Sequence, residues 1–313
     1  MPDSSAQHDA AFVAAELIAV IVAVTEGQPR VLTIEQGGAL PSGPFEFGHR
    51  SLQAGLRSWV ERQTHHPLGY VEQLYTFADR DRTDAVAERV VSVSYLGLTR
   101  EALVAREPGA CWQSWYRYFP WEDCRGEAAA MANDQLVPPL SAWADAAETG
   151  PERRARRHRV AVNFGQDGQR WNEELVLQRY ELLWESGLVP ESGPESGQIG
   201  GIPGAPMAHD HRRILATGIA RLRAKIKYRP VVFELMPPAF TLLQLQRAVE
   251  ALAGRLLHKQ NFRRLIDQQD LVEETGDVTT ETGGRPAKLF RFRREILAER
   301  AVIGSKLPLV RAV

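Results

Sequence analysis

One predicted helix near the C-terminal end of the chain has two chemically different faces. At about 100° per residue, the stretch from Leu257 to Gln269 places Phe262, Leu265 and Ile266 on one side, with His258 beside them. The other side carries polar and mostly cationic side chains, namely Lys259, Gln260, Arg263, Arg264 and Asp267, with Asn261 at the border. Arg and Lys can bind guanine edges or phosphates, and Gln can bind adenine. The pattern predicts a helix that enters a DNA groove; the alternative is a solvated helix face.

A polar, glycine-rich segment follows this helix and predicts a β-hairpin. Gly276–Pro286 lies between two short apolar runs, Leu271-Val272 and Leu289–Phe292, and Arg285 and Lys288 lie at or near its tip. A basic hairpin of this kind is typical of a wing that lies on the DNA backbone or in the minor groove. A basic surface loop has the same composition, so that alternative stays open.

The order of the elements and the distribution of charge support the DNA-binding interpretation. A helix begins at Thr241 and ends at Gly254, before the cationic helix and the hairpin, which gives the order helix, turn, helix, wing. From residue 206 onward there are 20 Lys and Arg against 11 Asp and Glu, whereas residues 1–205 hold 18 against 28. The net charge of -1 is therefore the sum of an acidic part and a basic part, and the basic part is a candidate for binding phosphate.

The first half of the chain predicts a mixed α+β domain. A hairpin (Leu17–Val24 and Val31–Ile34), a helix from Ser51 to Gln63 and two further strands (Val71–Phe77 and Val90–Leu98) follow one another. Residues 190–206 are rich in Pro, Gly, Ser and Glu and form the best candidate linker. We therefore expect one domain over 1–205 and another over 206–313.

The region between these domains predicts less regular structure. Six aromatic residues lie close together, and core packing is favoured for them over base stacking or a dimer interface: Trp112, Trp115, Tyr116, Tyr118, Phe119 and Trp121. An arginine run at 153–159 is interpreted as a solvated loop leading into a short strand, Val160–Phe164, although contact with DNA phosphate or a ligand is the alternative. A helix is predicted near Asn172–Ser186.

Composition excludes several classes of protein. The chain of 313 residues is 44% hydrophobic and 25% charged, which excludes a collagen-like or wholly disordered chain. Cys111 and Cys124 are too few for a disulfide framework or a four-cysteine zinc site, and no metal is expected. The apolar run Ala10–Val24 carries Glu16 and is too short to span a bilayer, so we expect a cytoplasmic protein without a membrane partner.

Several separated motifs in the C-terminal part occur together in one known family. Asn261-Phe-Arg-Arg264 and the run from Gly283 to Phe292, preceded by Phe240-Thr-Leu, resemble the winged-helix domain of the Nudix-related transcriptional regulators of NAD metabolism, of the NrtR and NadQ type. Arg221-Leu-Arg-x-Lys225 resembles the helix that joins the two domains in that family. The resemblance covers about 209–293. It implies an N-terminal Nudix-like α/β/α sandwich, a C-terminal winged helix-turn-helix, and a homodimer on a near-palindromic DNA operator.

A Nudix-like first domain should contain a Nudix box, whose carboxylates hold magnesium against a pyrophosphate along one helix. Aligned to that pattern, Gly43 and Arg57 keep their positions, but His49 and Ser58 stand where the first glutamate and the glutamate after the arginine belong. Of the next pair only Glu61 remains, since its partner is Arg62, and Thr64 replaces the final glycine. The loss of carboxylates predicts a binding domain with no catalytic residue.

The stretch Tyr70–Arg80 also resembles this family's Nudix domain, and the resemblance implies an NAD-related effector: ADP-ribose, NAD or ATP. Candidate effector contacts are Arg57, Glu61, Tyr75 and Arg80, and a structural role is open for each. The expected function is a regulator, most simply a repressor, of NAD biosynthesis or salvage genes. The alternatives are a Nudix pyrophosphohydrolase of ADP-ribose or a related nucleotide with metal ligands outside the box, such as Glu122 or Asp123, and an interaction scaffold using the aromatic cluster.

Overall fold

The computed structural model describes residues 13–66, 68–79, 89–101, 109–193, 202–280 and 286–295. Its larger sheet is built from six strands: β1 (Val13–Thr25), β2 (Gln28–Ile34), β3 (Ser42–Pro44), β4 (Tyr70–Phe77), β5 (Arg89–Leu98) and β6 (Ala110–Ser114). The strand order is β4-β5-β1-β2-β6, and β3 pairs with β1. β1 runs parallel to β5 and antiparallel to β2 and β3.

The hairpin between β1 and β2 follows directly from the sequence. Glu26 and Gly27, with φ of 52° and 71°, take the left-handed conformation at both turn positions. Two left-handed residues in a two-residue loop twist the strands in the direction that a hairpin needs. The predicted hairpin is confirmed, although both strands are longer than the sequence indicated.

The central strand β1 is buried on both faces, and successive side chains enter two different layers of the core. Leu17, Ala19 and Ile21 pack with helix α1 (Leu52–Thr64). The alternate residues of β1 pack against helix α5 (His211–Lys225), which crosses the strand so closely that a Cβ on Gly218 would lie 2.9 Å from Cγ1 of Val20. Helices on both faces of one sheet give the mixed α+β architecture that the sequence predicted.

Five of the six residues of the aromatic cluster lie in the core, as the favoured interpretation predicted, and Trp112 is half-buried. Trp115, Tyr118, Phe119 and Trp121 have no exposed surface. Phe119 meets Tyr180 edge to face, with ring centroids 6.3 Å apart. These rings therefore fill the space between the sheet and the helices within one copy of the chain.

Three helices form the middle region: α2 (Ala128–Asp145), α3 (Gly150–Phe164) and α4 (Val176–Glu185). The predicted loop at 153–159 and the predicted strand Val160–Phe164 are wrong, because both belong to α3. Thr149 caps this helix through its side chain, which accepts a hydrogen bond from the Glu152 amide, and Gly165 ends it with φ of 62°. These capping signals outweigh the weak strand preference of the two valines in the last turns.

The C-terminal part contains α6 (Leu242–Ala253), α7 (Lys259–Gln269) and a two-stranded antiparallel sheet of β7 (Val272–Thr279) and β8 (Ala287–Phe292). Thr241 and Gln244 form a capping box at the start of α6, and Gly254 ends it with φ of 69°. The predicted order of helix, turn, helix and hairpin is confirmed. β7 continues through Gly276 to Thr279, so the strand is longer than predicted. No helix among the described residues has the length and apolarity to span a membrane.

Candidate functional site

The outer face of α7 is cationic and exposed. Phe262 and Ile266 anchor the helix and are 7% and 8% exposed. The polar residues predicted for the opposite face are all exposed, as is Asn261 at its border: Lys259, Gln260, Arg263, Arg264 and Asp267. Leu265 corrects the prediction, because it is 50% exposed although it was placed on the packed face. Among the residues that the structure describes, no carboxylate pairs with Lys259, Arg263 or Arg264. Their N–H donors are therefore available to a binding partner.

Two buried polar side chains fix the turn between α6 and α7. Glu250 accepts hydrogen bonds from the amide of Leu257 at 2.9 Å and from the side chain of Gln246 at 2.8 Å. Gln246 also donates to the carbonyl of Leu257 at 3.1 Å. The amide and the carbonyl of Leu257 are thereby both satisfied by side chains of α6, which hold the turn before α7.

The β7–β8 hairpin is tied to the body of the domain at its base. Phe240 and Phe290 exchange two backbone hydrogen bonds, of 2.8 and 2.9 Å, and the rings of Phe233 and Phe292 stack with centroids 4.2 Å apart. Lys288, a predicted DNA contact, pairs with Glu274 at 2.9 Å. Arg285, the other predicted contact of this hairpin, lies outside the described residues. Within the described part of the site, α7 therefore carries the unpaired charge.

A buried group of three ionised side chains connects this domain to the rest of the chain. Glu122 receives two hydrogen bonds from Arg179 of α4, at 2.6 and 2.9 Å, and one from Arg223 of α5 at 2.5 Å. All three side chains have no exposed surface. Arg223 also donates to the carbonyl of Leu252 in α6 at 2.9 Å. One guanidinium thus joins the middle region to the helix that precedes α7.

The same junction is closed by backbone contacts. The Tyr116 hydroxyl donates to the carbonyl of Ala251 at 2.7 Å. A Cβ on Gly254 would lie 2.2 Å from the carbonyl oxygen of Glu122, so no side chain fits there. The glycine therefore serves both the left-handed helix end and the close approach of the two parts of the chain.

A second polar contact joins α5 to the edge strand β4. The buried Lys225 ammonium donates to the Tyr70 hydroxyl at 2.7 Å and to the carboxylate of Glu72. Burial raises the pKa of Glu72, but the hydrogen bond and charge of Lys225 outweigh burial and hold that pKa below its usual value. Because β4 also carries Tyr75, this contact connects a candidate effector residue to the helix that leads into the C-terminal part.

The remaining residues of the Nudix-box pattern make contacts of their own. Arg57 donates to the carbonyls of Leu68 and Gly69, the latter at 2.9 Å. Trp59 lies flat on Gly43, where a Cβ would come within 2.3 Å of the ring. The guanidinium of Arg62, which stands in a carboxylate's position, covers the same ring at 3.9 Å. This helix surface presents a cation and an indole to solvent.

The other candidate effector and metal residues are spread over the domain. Tyr75 is 60% exposed beside buried Phe77, Glu61 is exposed on α1, and Arg80 lies outside the described residues. Among the described residues no three His, Cys, Asp or Glu side chains converge as metal ligands would. Glu122 is bound by two arginines, and Asp123 accepts a 2.7 Å hydrogen bond from Arg125.

Comparison with known proteins finds its most specific match in the C-terminal part of the chain. Residues 232–292 match the model of the NrtR DNA-binding winged helix domain. This segment is therefore similar to the NrtR winged helix. An ADPR-responsive transcriptional repressor of Acinetobacter baylyi is 43% identical over 86 residues, which are 28% of this chain and 34% of that protein. The match thus spans about a third of the length of this curated relative.

Solved structures extend the similarity in fold over most of the chain. Shewanella oneidensis NrtR, crystallised with a 27mer DNA, covers 89% of this chain, which covers 93% of it, with a TM-score of 0.55 and 20% identity. A MutT/nudix family protein of Enterococcus faecalis covers 94%, with 89% of its own length matched, a TM-score of 0.53 and 16% identity. The predicted resemblance to the NrtR type and the predicted combination of a Nudix-like sheet with a winged helix are confirmed.

Sequence reasoning placed Arg223 and Lys225 on a joining helix but missed the buried contacts that join the two parts of this NrtR-like fold. Glu122, Arg179, Arg223 and Lys225 are buried, although charged residues are rarely buried unless they are paired. One signal was present: Arg223 and Lys225 lie next to apolar positions of α5 that repeat every three or four residues, although Arg221 on the same helix is exposed. Their partners, however, come from distant segments that no local pattern connects.

Proposed function

We propose that this protein is a DNA-binding transcriptional repressor of genes for NAD biosynthesis or salvage, whose Nudix-like part binds an NAD-related effector. The observation that carries the proposal is the exposed face of α7, where Lys259, Arg263 and Arg264 have no carboxylate partner among the described residues, on an NrtR winged helix. Gln260 and Asn261 on the same helix supply the amide groups that read base edges. Arg285 and Lys288 of the wing are proposed to contact the DNA backbone.

The effector is proposed to be ADP-ribose, with NAD and ATP as competitors. The Acinetobacter repressor that matches part of this chain is named for its response to ADP-ribose. Arg57, Glu61, Tyr75 and Arg80 remain the proposed contacts. An effector changes DNA affinity only if it binds two arrangements of the protein unequally, typically by 1–3 kcal/mol. We propose domains at 1–205 and 206–313, with two copies occupying a near-palindromic operator.

DNA titrations test the proposal directly. Fluorescence anisotropy of the full chain on labelled duplexes from NAD-gene promoters should show binding that weakens steeply as salt rises from about 50 to 200 mM, because cations that contact phosphates release counterions. Adding ADP-ribose, NAD or ATP then identifies which ligand shifts the curve. Binding that is absent from every duplex, or that ignores salt, would contradict the proposal.

An enzyme remains the alternative, and a turnover assay separates it. We infer that the protein does not hydrolyse ADP-ribose or a related nucleotide, because His49, Ser58 and Arg62 stand where the box needs carboxylates and because Glu122 and Asp123 are bound to arginines. Incubation with ADP-ribose and Mg²⁺ should yield no AMP above background by chromatography. Steady multiple turnover would establish a Nudix pyrophosphohydrolase instead.

A further inference from the structure

A cavity of about 330 Å³ lies inside the C-terminal part of the protein, between the end of α5 and the inner faces of α6 and α7. Its walls are aliphatic and aromatic: Ile226, Phe233, Leu245, Val249, Phe262 and Ile266. Small-molecule sites in proteins are clefts of about 300–1,000 Å³ with apolar walls and few polar groups. The size and lining of this cavity fall within that class.

The charged groups around the cavity are of one sign. Among the described residues no carboxylate lines it, whereas Lys227 and Arg229 both do. Lys227 pairs with Glu173 and Glu174 at 2.9 and 2.6 Å. Arg229 is exposed, and among the described residues no acidic side chain pairs with it. A ligand with one anionic group would therefore form an ion pair with Arg229 at the rim of the cavity.

Two large apolar side chains at the rim of the cavity face solvent. Tyr228 is 62% exposed and Leu265 is 50% exposed, and both belong to the lining. Burial of such surface contributes about 25 cal/mol per Å². An apolar body that fills the cavity would cover Leu265 on one side and pack on Val249 and Phe262 below it.

We propose that this cavity binds a small amphipathic molecule with an aromatic or aliphatic body and a single anionic group held by Arg229. The apolar walls pack against the body, and the unpaired guanidinium donates hydrogen bonds to the carboxylate or sulfonate. The site lies away from the Nudix-like sheet, so it is separate from the proposed effector site. It also touches the inner face of α7, whose outer face carries Lys259 and Arg264.

The probe that matches this chemistry is 8-anilinonaphthalene-1-sulfonate, whose rings and sulfonate correspond to the body and the anion. Titration of the full chain, followed by fluorescence and calorimetry, should show one saturable site. Val249→Trp fills the cavity and should weaken binding by more than about tenfold. Leu265→Trp narrows the half-exposed rim and should weaken it as well, which keeps the test valid if Val249→Trp fails to fold by circular dichroism.

The charge is tested with a matched pair of variants and a neutral probe. Arg229→Gln should weaken sulfonate binding by about two- to fivefold, since an ion pair with an exposed guanidinium is lost, whereas Arg154→Gln on the exposed surface of α3 should not. Neutral N-phenyl-1-naphthylamine should bind the native chain and Arg229→Gln equally. Absence of a saturable site, or binding that survives both tryptophan variants, would overturn the site. Sulfonate binding unchanged by Arg229→Gln would overturn the assignment of the anion.

Discussion

Helices α3 and α7 are both rich in arginine, but they use their charge differently. In α3, Arg156 pairs with Glu152 at 2.7 Å, and Arg159 pairs with Glu185 of α4 at 2.5 Å. In α7, the described residues provide no carboxylate to Arg263 or Arg264. The denser cluster of positive charge is therefore largely neutralised within the molecule, whereas the sparser one is available to a partner.

The difference shows that the surroundings of a charged run matter more than its length. The acidic excess of residues 1–205 lies partly on the helices that flank α3, where Asp145 and Glu185 reach its arginines. α7 packs by Phe262 and Ile266 alone and has open solvent on its other side. The net charge of the whole chain, -1, thus describes neither helix. The number of charges in 153–159 likewise does not show whether these arginines pair with carboxylates of the same chain or face a separate partner.

Removing the carboxylate of Glu122 should give the largest effect on stability. Glu122→Gln leaves Arg179 and Arg223 buried without a counter-charge, which costs about 3–5 kcal/mol of unfolding free energy. Urea denaturation measures this loss. The same chemical change at Glu152, which is 43% exposed, should cost less than about 1 kcal/mol. Equal losses in the two variants would show that burial does not distinguish the internal arginines from those at the surface.

Acid should destabilise the protein through His211. This side chain is buried and accepts a 3.0 Å hydrogen bond from the amide of Leu40 through Nδ1. Burial, helped by the nearby His209, lowers the pKa of His211 from 6.5 to about 4. Between these values the unfolded chain binds the proton and the folded chain does not, so stability falls as the pH drops from 6.5 toward 4. The full loss is about 3 kcal/mol.

The variant His211→Asn isolates this contribution. Asparagine keeps an oxygen close to the position of Nδ1 and does not titrate in this range. Chemical denaturation of both proteins at neutral pH and near pH 5 should show that the native chain loses more unfolding free energy on acidification than the variant does. Carboxylates titrate in both proteins, so their contribution cancels when the two losses are subtracted. If the unfolding free energy of the two proteins depended on pH in the same way, the folded protein would tolerate a charged His211.

The sequence predicted the local elements well and the long-range contacts poorly. The cap residues Ser51, Thr241 and Gly254 are local signals, and the helices they bound lie where predicted. Leu265 was assigned to the packed face by periodicity alone, but its side chain borders a cavity and does not pack against another side of the core. The partners of Arg223 and Lys225 come from segments that only the tertiary fold brings close to α5. The same is true of the carboxylates that pair with the arginines of α3.

On DNA, a variant of α7 should behave differently from a variant of α3 with the same change in charge. Arg264→Ala should weaken binding to a promoter duplex by about 1–3 kcal/mol if the side chain reads a base. Arg157→Ala removes an equal charge that Asp145 already neutralises, so its affinity should match that of the native protein. Anisotropy titrations at one salt concentration measure both. Equal weakening would place α3 at the DNA as well, and no weakening of Arg263→Ala or Arg264→Ala would remove α7 from the groove.

The smallest expected effect tests whether position or pairing keeps α3 from DNA. Glu185→Gln releases Arg159 from an exposed ion pair, and such pairs contribute about 0.2–1 kcal/mol to stability. Unfolding should therefore change little. If α3 lies away from the duplex, the freed arginine should leave DNA affinity and its salt dependence unchanged. An affinity gain with a steeper salt dependence would instead show that α3 lies within reach of phosphate and that Glu185 masks a second cationic surface.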